Sequence, residues 1–140
     1  MILGLDHIGL ATADPGPAGA QLAALGLART DRGTAEAYGV ACEFWSLPGA
    51  DPAPAVELVS PVRDGSAVDG RLRGQGPGLY HLAFTVDDLE QERDRLRTEG
   101  FLSLDARPCR GARPGMRVSF LYRPDPAELL IELVHYSPAG

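Results

Sequence analysis

The sequence predicts an α+β protein made of two similar modules, because three pairs of residues recur at nearly one spacing. The two residues of a pair mark equivalent positions in the two modules. The first pair is a histidine that opens an apolar strand, the second a glutamate inside a later strand, and the third a glycine where a helix ends. The pairs are His7 with His81, Glu57 with Glu132, and Gly26 with Gly100, and their separations are 74, 75 and 74 residues. A nearly constant spacing between three unrelated features indicates an internal duplication.

The chain has the length of one domain. Its 140 residues are 44% hydrophobic, which is enough for a core, but half of that length buries too little surface to be stable alone. We therefore expect one domain over 1–140, with module 1 at about 1–62, a linker at about 63–77 and module 2 at about 78–140.

In module 1 the expected order is strand, helix and two further strands. Apolar and polar residues alternate in the first strand. Asp14 followed by Pro15 is a typical helix start, with the aspartate as cap and the proline in the first turn. Glycines and prolines crowd the start of that helix, so we expect it to be short. The predicted elements are strands over 3–12, 38–47 and 53–60 and a helix over 16–25.

Module 2 repeats this order with a clearer helical pattern. Leu89 and Leu96 lie at helical spacing in a segment of good helix formers. The polar, glycine-rich segment before this module suits a linker with one short helical turn. The predicted elements are strands over 79–86, 117–122 and 129–135, a helix over 88–99 and an arginine-containing loop over 109–115.

The composition excludes several classes of function. A net charge of −6 argues against a nucleic-acid groove, which needs a concentrated positive field. All 13 basic residues are arginine, so no lysine is available for Schiff-base chemistry. With two cysteines, no charged-then-apolar leader and no apolar run near the ~20 residues of a membrane span, we expect a soluble cytoplasmic protein.

Four ionisable residues lie inside predicted apolar strands, where they are costly unless they are paired or bound to a metal. They are His7, Glu57, His81 and Glu132, two at equivalent places in each module. Any one of them alone is more often a hydrogen-bonded or edge residue, but their shared spacing favours a common site between the modules. Two imidazoles and two carboxylates suit one divalent ion such as Mn, Fe, Co, Ni or Zn, with positions left for water or substrate.

Five stretches, spread over nearly the whole chain, match a known pattern. They are Leu5-Asp6-His7-Ile8-Gly9, Val56-Glu57-Leu58-Val59-Ser60-Pro61, Gly76-Pro77-Gly78-Leu79-Tyr80-His81-Leu82-Ala83-Phe84, Arg117-Val118-Ser119-Phe120-Leu121 and Leu130-Ile131-Glu132-Leu133. They resemble the vicinal oxygen chelate superfamily of glyoxalases, bleomycin resistance proteins and dioxygenases, and most closely its methylmalonyl-CoA epimerases. The resemblance implies paired βαβββ modules that form a half-open barrel around one metal, held by His7, Glu57, His81 and Glu132.

The resemblance also implies a reaction. A carboxylate at Glu57 resembles the isomerases of this group rather than its dioxygenases. An epimerase removes the proton next to a carbonyl and returns it on the other face, which requires a base on each face. The family pattern implies Glu132 as one base and, on the strand containing Ala41-Cys42-Glu43-Phe44, Glu43 as the other, although Glu43 could equally face solvent. The expected substrate is methylmalonyl-CoA or a related acyl thioester.

Other functions remain possible. Lyases of the glyoxalase I (lactoylglutathione lyase) type have a similar set of metal ligands, and a drug-binding resistance-type module or a biosynthetic-pathway enzyme would share the fold. The chain departs from the epimerase pattern at Tyr80 and over Arg123 to Glu128, so its substrate could differ.

The densest basic stretch of the chain contains four arginines, Arg107, Arg110, Arg113 and Arg117. They could bind coenzyme A phosphates or a carboxylate, or could be solvated. A homodimer is expected by resemblance.

Overall fold

The structure, a computed structural model, describes residues 1–138 as one open mixed sheet with helices packed on it. The strands are β1 (Ile2–Ala11), β2 (Ala28–Ala35), β3 (Val40–Ser46), β4 (Ala55–Pro61), β5 (Gly78–Val86), β6 (Leu102–Ser103), β7 (Cys109–Arg110), β8 (Met116–Arg123) and β9 (Leu129–Tyr136). The helices are α1 (Pro15–Ala24), α2 (Asp69–Gln75) and α3 (Leu89–Thr98), with a one-turn 3₁₀ helix at Glu36–Tyr38. The predicted α+β class is confirmed.

The sheet order shows how the two halves of the chain join. The strands follow one another as β2-β3-β4-β1-β5-β9-β8-β6, and β7 pairs with β8. At the centre β1 runs antiparallel to β5, while β1 is parallel to β4 and β5 is parallel to β9. The first strands of the two halves therefore lie side by side, and each is flanked by a later strand of its own half. This matches the half-open barrel that the resemblance implies.

The two longer helices begin and end in the same way in both halves. The Asp14 carboxylate accepts a hydrogen bond from the Gly16 amide at 3.1 Å, and the Asp88 carboxylate accepts one from the Gln91 amide at 3.0 Å. After the helices, Gly26 and Gly100 have φ of 95° and 94°, a conformation that favours glycine. Both predicted helices are present within one or two residues of their expected ends.

Several elements differ from the sequence-based expectation. The short strands β6 and β7 and the 3₁₀ turn at Glu36–Tyr38 were not predicted, and β7 begins the segment that was expected to be an arginine-containing loop. β2 was not predicted, because its sequence Ala-Arg-Thr-Asp-Arg-Gly-Thr-Ala is polar and becomes a strand only through its pairing with β3 at the sheet edge. α2 makes up two turns of the predicted linker. Residues 139 and 140 of the expected domain lie outside the described residues. No helix in residues 1–138 is long and apolar enough to span a membrane.

Candidate metal centre and active site

The sheet brings the four predicted ligands together at its centre. In the strand registers, Gly9 of β1 pairs with both Glu57 and His81, and Ala83 of β5 pairs with Glu132. Each of the four ligand side chains belongs to a residue that is no more than 5% exposed. Strand pairing thus places two residues from each half on one face of the sheet.

The Nε2 atoms of the two histidines lie within contact distance of each other and of both glutamate carboxylates. His7 Nε2 is 3.1 Å from His81 Nε2, 2.7 Å from Glu132 Oε1 and 3.4 Å from Glu57 Oε1. His81 Nε2 is 3.3 Å from Glu57 Oε1 and 3.5 Å from Glu132 Oε1. The two imidazoles and two carboxylates therefore point at one common centre.

Two phenylalanines, which sequence reasoning did not single out, flank the histidines symmetrically. Phe44 pairs in register with Glu57, and its ring meets that of His7 edge to face at 5.5 Å between centroids. Phe120 pairs with Glu132, and its ring meets that of His81 at 5.3 Å in the same geometry. Their separation of 76 residues, close to that of the other pairs, was the sequence signal that could have identified them. Each aromatic edge restricts the orientation of one imidazole.

Asp6 is a third residue that the sequence analysis did not assign to the site. Its Oδ2 lies 2.6 Å from Nδ1 of His7, so the carboxylate leaves Nε2 of the ring for the centre of the cluster. Neighbouring strand residues normally face opposite sides. A register shift between Leu5 and His7 lets both Asp6 and His7 lie buried.

The histidines and glutamates of the cluster shift one another's pKa values. Burial alone lowers the pKa of both histidines. Glu57 and Glu132, joined by Asp6 in the case of His7, outweigh this effect and raise the pKa of His7 to about 12 and that of His81 to about 8. Burial alone raises the pKa of both glutamates, but the two histidines outweigh it and hold both pKa values below the usual range. Without a metal ion, protons on the imidazoles would balance the carboxylates.

The residues fit a divalent metal ion. His7, His81 and Glu132 each offer one ligand atom, and these atoms lie within 4.8 Å of one another. Glu132 Oε1 is buried and has no hydrogen-bond partner of good geometry among residues 1–138, so a cation at the centre would satisfy it. With nitrogen and oxygen donors, the set suits the borderline first-row ions.

A cavity of about 270 Å³ opens beside the cluster. Glu57, His81 and Glu132 form its polar side. The remaining lining residues are mainly apolar: Ala35, Tyr38, Val40, Cys42, Val59, Ala67, Tyr80, Leu104, Gly111, Ala112, Met116, Phe120 and Leu130. The hydroxyl groups of both lining tyrosines donate to protein oxygens, that of Tyr38 to Asp105 at 2.8 Å and that of Tyr80 to the Ala67 carbonyl at 3.2 Å. A small, partly apolar group fits this space.

Glu43, the predicted second base, does not line the cavity. The β3 side chains alternate, so Val40 and Cys42 face the cavity while Glu43 lies on the opposite face of the strand. There its carboxylate accepts a hydrogen bond from Trp45 Nε1 at 3.2 Å and lies 3.6 Å from Arg29. The expectation that Glu43 reaches the substrate therefore needs correction by one residue along the strand: Cys42 occupies the cavity-facing position.

The four arginines of the basic stretch do not act as one group. Arg113 is engaged with protein groups, including Tyr136 Oη at 2.9 Å, and Arg117 pairs with Glu90 at 2.6 Å. Arg107 and Arg110 are exposed. Within this stretch, Arg107 and Arg110 are therefore the two arginines whose side chains could contact an anionic ligand at the surface.

Comparison with known proteins places these features in a family context. Residues 6–120 match the Glyoxalase/Bleomycin resistance protein/Dioxygenase superfamily. The ethylmalonyl-CoA/methylmalonyl-CoA epimerase of Cereibacter sphaeroides is 30% identical over 135 residues, which are 95% of this chain and 98% of that enzyme. The similarity therefore extends over both halves of the sheet.

Solved structures agree with the sequence comparison. Methylmalonyl-CoA epimerase from Mycobacterium tuberculosis has a TM-score of 0.84 at 30% identity, with 98% of this chain and 90% of that chain covered. A variant of the Streptomyces coelicolor methylmalonyl-CoA epimerase, in complex with 2-nitronate-propionyl-CoA, has a TM-score of 0.83 at 28% identity, with 98% and 99% covered.

Proposed function

Because the chain belongs to the glyoxalase/bleomycin resistance/dioxygenase superfamily, we propose that it is a metal-dependent epimerase that acts next to a thioester carbonyl. Methylmalonyl-CoA or a related acyl thioester is the proposed substrate, as the names of its relatives suggest. The observation that carries the proposal is the buried cluster of two histidines and two glutamates beside a small cavity of mainly apolar lining.

The proposed metal ligands are His7, Glu57, His81 and Glu132. A divalent ion bound there would act as a Lewis acid toward substrate oxygens. The apolar walls of the cavity would exclude water from the acyl group and strengthen electrostatic interactions with the charge that develops. Asp6 would hold His7 in the tautomer that leaves Nε2 free for the metal.

Two groups on opposite walls are proposed to move the proton. Glu132, on β9, lies at the cluster and lines the cavity, so its carboxylate is the proposed base on one face. On the β3 wall, Cys42 lines the cavity, and burial, with Glu57 and Glu132 nearby, raises the pKa of its thiol. In one direction Glu132 removes the α-proton and the protonated thiol donates one on the other face; in the reverse direction the thiolate removes the proton and protonated Glu132 returns one. We assign this second face to Cys42 in place of Glu43.

The decisive experiment follows the α-proton and the configuration separately. Wild-type protein, loaded with Co²⁺, is incubated with (2R)- and (2S)-methylmalonyl-CoA in deuterated water and followed by proton NMR and by chiral analysis. Loss of the α-proton signal together with interconversion of the epimers is expected. Metal binding without any exchange would exclude methylmalonyl-CoA as substrate and redirect the search to other acyl or thiol compounds, such as a glyoxalase I substrate.

Variants test the two proposed faces. Cys42→Ala is expected to retain exchange of one epimer but to lose interconversion by ~10²-fold or more, because only the donor on one face is removed. Glu43→Gln is the matched control, one residue away on the other face of β3, and should retain both activities. Normal interconversion by Cys42→Ala, or its loss in Glu43→Gln, would contradict this assignment.

Two further proposals concern coenzyme A binding and the assembly of the protein. Arg107 and Arg110 are exposed and are proposed to attract the coenzyme A phosphates. A homodimer and a cytoplasmic location also stay predictions. Light scattering of the purified protein tests the homodimer, because a monomer at micromolar concentration would contradict that prediction.

A further inference from the structure

Arg113 lies in a loop that crosses from the second half of the chain to the first. Gly111 and Ala112 of this loop form part of the cavity wall. The loop packs so closely on β2 that a Cβ added at Gly33 would lie 2.0 Å from the Ala112 carbonyl oxygen. At its far end the Gly115 carbonyl accepts a hydrogen bond from the Ser137 amide at 2.8 Å. The loop is thus fixed at both ends over the edge of the first half.

The Arg113 side chain, only 17% exposed, points from this loop into the protein. Its guanidinium carbon lies 3.6 Å from the centroid of the Phe44 ring, which is a cation–π contact. Nη1 donates to Tyr136 Oη at 2.9 Å and lies 3.5 Å from Asp6 Oδ2, and Nε lies 3.6 Å from Asp31. One side chain therefore contacts four residues on four different strands.

Two of these four contacts lead directly to His7. The Asp6 Oδ2 atom that faces Arg113 is the same atom that lies 2.6 Å from His7 Nδ1, and it also accepts from the Tyr136 hydroxyl at 3.1 Å. The Phe44 ring under the guanidinium meets His7 edge to face. Arg113 thus contacts both the hydrogen-bond partner and the aromatic neighbour of one proposed ligand.

The other histidine has no such arrangement. His81 Nδ1 is buried, and it has no hydrogen-bond partner among residues 1–138. The residue that precedes it is Tyr80, in place of the aspartate that precedes His7, and the Tyr80 hydroxyl donates to Ala67. The two halves therefore hold their histidines unequally, although their strands and phenylalanines correspond.

We infer that Arg113 is a positioning residue, which couples the cavity-wall loop to the metal centre by fixing Asp6 and Phe44 around the His7 imidazole. The inference rests on the proposed metal site. A guanidinium suits this role because its planar fork can stack on a ring and donate sideways at the same time, whereas an ammonium cannot do both. Displacement of the loop would open the cavity and also release the His7 imidazole from its fixed orientation. The position of the cavity wall and the geometry of the metal centre would therefore change together.

The test measures Co²⁺ binding to metal-free protein by calorimetry, together with the visible spectrum of the bound Co²⁺. Arg113→Met keeps the length and apolar character of the side chain and is expected to raise the Kd for Co²⁺ ~10-fold, with a changed spectrum, as for other residues that orient a ligand. Arg113→Lys should show a smaller change in the same direction. Arg117→Met, four residues along and paired with Glu90 at the surface, and Asp31→Asn, which contacts Arg113 but not His7, should stay within about twofold.

A double-mutant cycle separates positioning from simple stabilisation. If Arg113 acts through Asp6, then Arg113→Met in an Asp6→Asn background should weaken Co²⁺ binding by no more than about twofold further. Equal losses of Co²⁺ affinity in both backgrounds would overturn the inference. So would Arg113 variants that lower the melting temperature but leave the Kd and the spectrum of bound Co²⁺ unchanged.

A readout that needs no metal distinguishes failure of this inference from failure of the proposed function. In ¹⁵N NMR spectra of the metal-free protein, Arg113→Met should shift the ring resonances of His7 and leave those of His135, which lies away from the cluster on β9, in place. Wild-type protein that binds no Co²⁺ would overturn the proposed metal function. Unchanged His7 resonances in Arg113→Met would overturn the role of Arg113.

Discussion

Gly9 is the residue that makes room for one of the proposed ligands. A Cβ at this position would lie 2.3 Å from Cε1 and 2.4 Å from Nδ1 of His81, closer than non-bonded atoms approach. The His81 ring lies across β1 at a point where only glycine leaves space. The presence of glycine here therefore follows from the site and not from a turn.

Gly9→Ala is expected to displace the His81 ring and to weaken metal binding by at least ~10-fold, because a ligand must move out of its productive geometry. Calorimetry with Co²⁺ measures the effect. Gly4→Ala in the same strand is the matched control, since nothing lies within 4 Å of a Cβ added there. Equal Co²⁺ affinity in Gly9→Ala and Gly4→Ala would show that the His81 ring does not need this space.

The pKa values of the two histidines predict how metal binding depends on pH. The pKa of His7 is raised to about 12 and that of His81 to about 8, so both imidazoles carry protons at pH 7 that a metal must displace. Co²⁺ binding should therefore release protons, and its affinity should rise as the pH increases from 6 through about 8. Calorimetry in buffers of different ionisation enthalpy counts the protons, and a pH-independent affinity would contradict the protonated state.

At the scale of elements, the helix starts are local features with a measurable contribution to stability. The Asp88 carboxylate caps α3 by accepting from the Gln91 amide, and the helix buries Leu89, Glu92 and Leu96 against the sheet. Asp88→Ala should lower the free energy of unfolding by about 1 kcal/mol. Urea denaturation measures the loss.

Asp94→Ala is the matched control for that cap. Asp94 lies in the same helix with a side chain that is 75% exposed, and it lies 4.0 Å from Arg97, so its removal should change the free energy of unfolding by less than about 0.5 kcal/mol. Because the cap lies far from the metal cluster, neither variant should change the Kd for Co²⁺. A cap variant as stable as wild type would show that packing of the apolar face alone determines this helix.

At the scale of the whole molecule, the proposed metal site draws its residues from both halves. His7 and Glu57 come from the first half and His81 and Glu132 from the second, so an ion bound to all four would link them. A ligand that binds only the folded state stabilises it by about 2.7 kcal/mol at a free concentration one hundred times its Kd. For a chain of this size that corresponds to a rise in melting temperature of roughly 5–15 °C.

Scanning calorimetry with and without Co²⁺ measures this rise, with a chelator to remove the ion. His81→Ala and Glu57→Ala should each lose the rise, because removal of one ligand opens the site, while Glu43→Gln, on the other face of the sheet, should keep it. A melting temperature that does not respond to Co²⁺ in wild type would argue against a metal that bridges the halves.

Much of the fold and of the candidate site was predictable because it depends on local patterns. Helix caps and strand alternation are properties of short segments, and the repeated spacing of His7 with His81 and Glu57 with Glu132 shows the same short patterns occurring twice. Together they indicated both halves of the sheet. β2 was missed because a polar edge strand carries no such pattern. Glu43 was misplaced because a shift of one residue along a strand moves a side chain to the other face.

The sequence by itself therefore determined the fold class, the duplication and the four residues of the proposed metal site. Only the tertiary structure decided which β3 residue faces the cavity, how a register shift buries Asp6 beside His7, and how Arg113 reaches both from a distant loop. The physical reason is that helix caps and strand alternation act between near neighbours and a duplication repeats them along the chain, whereas the face on which a side chain lies and contacts across more than a hundred residues depend on how the strands pair.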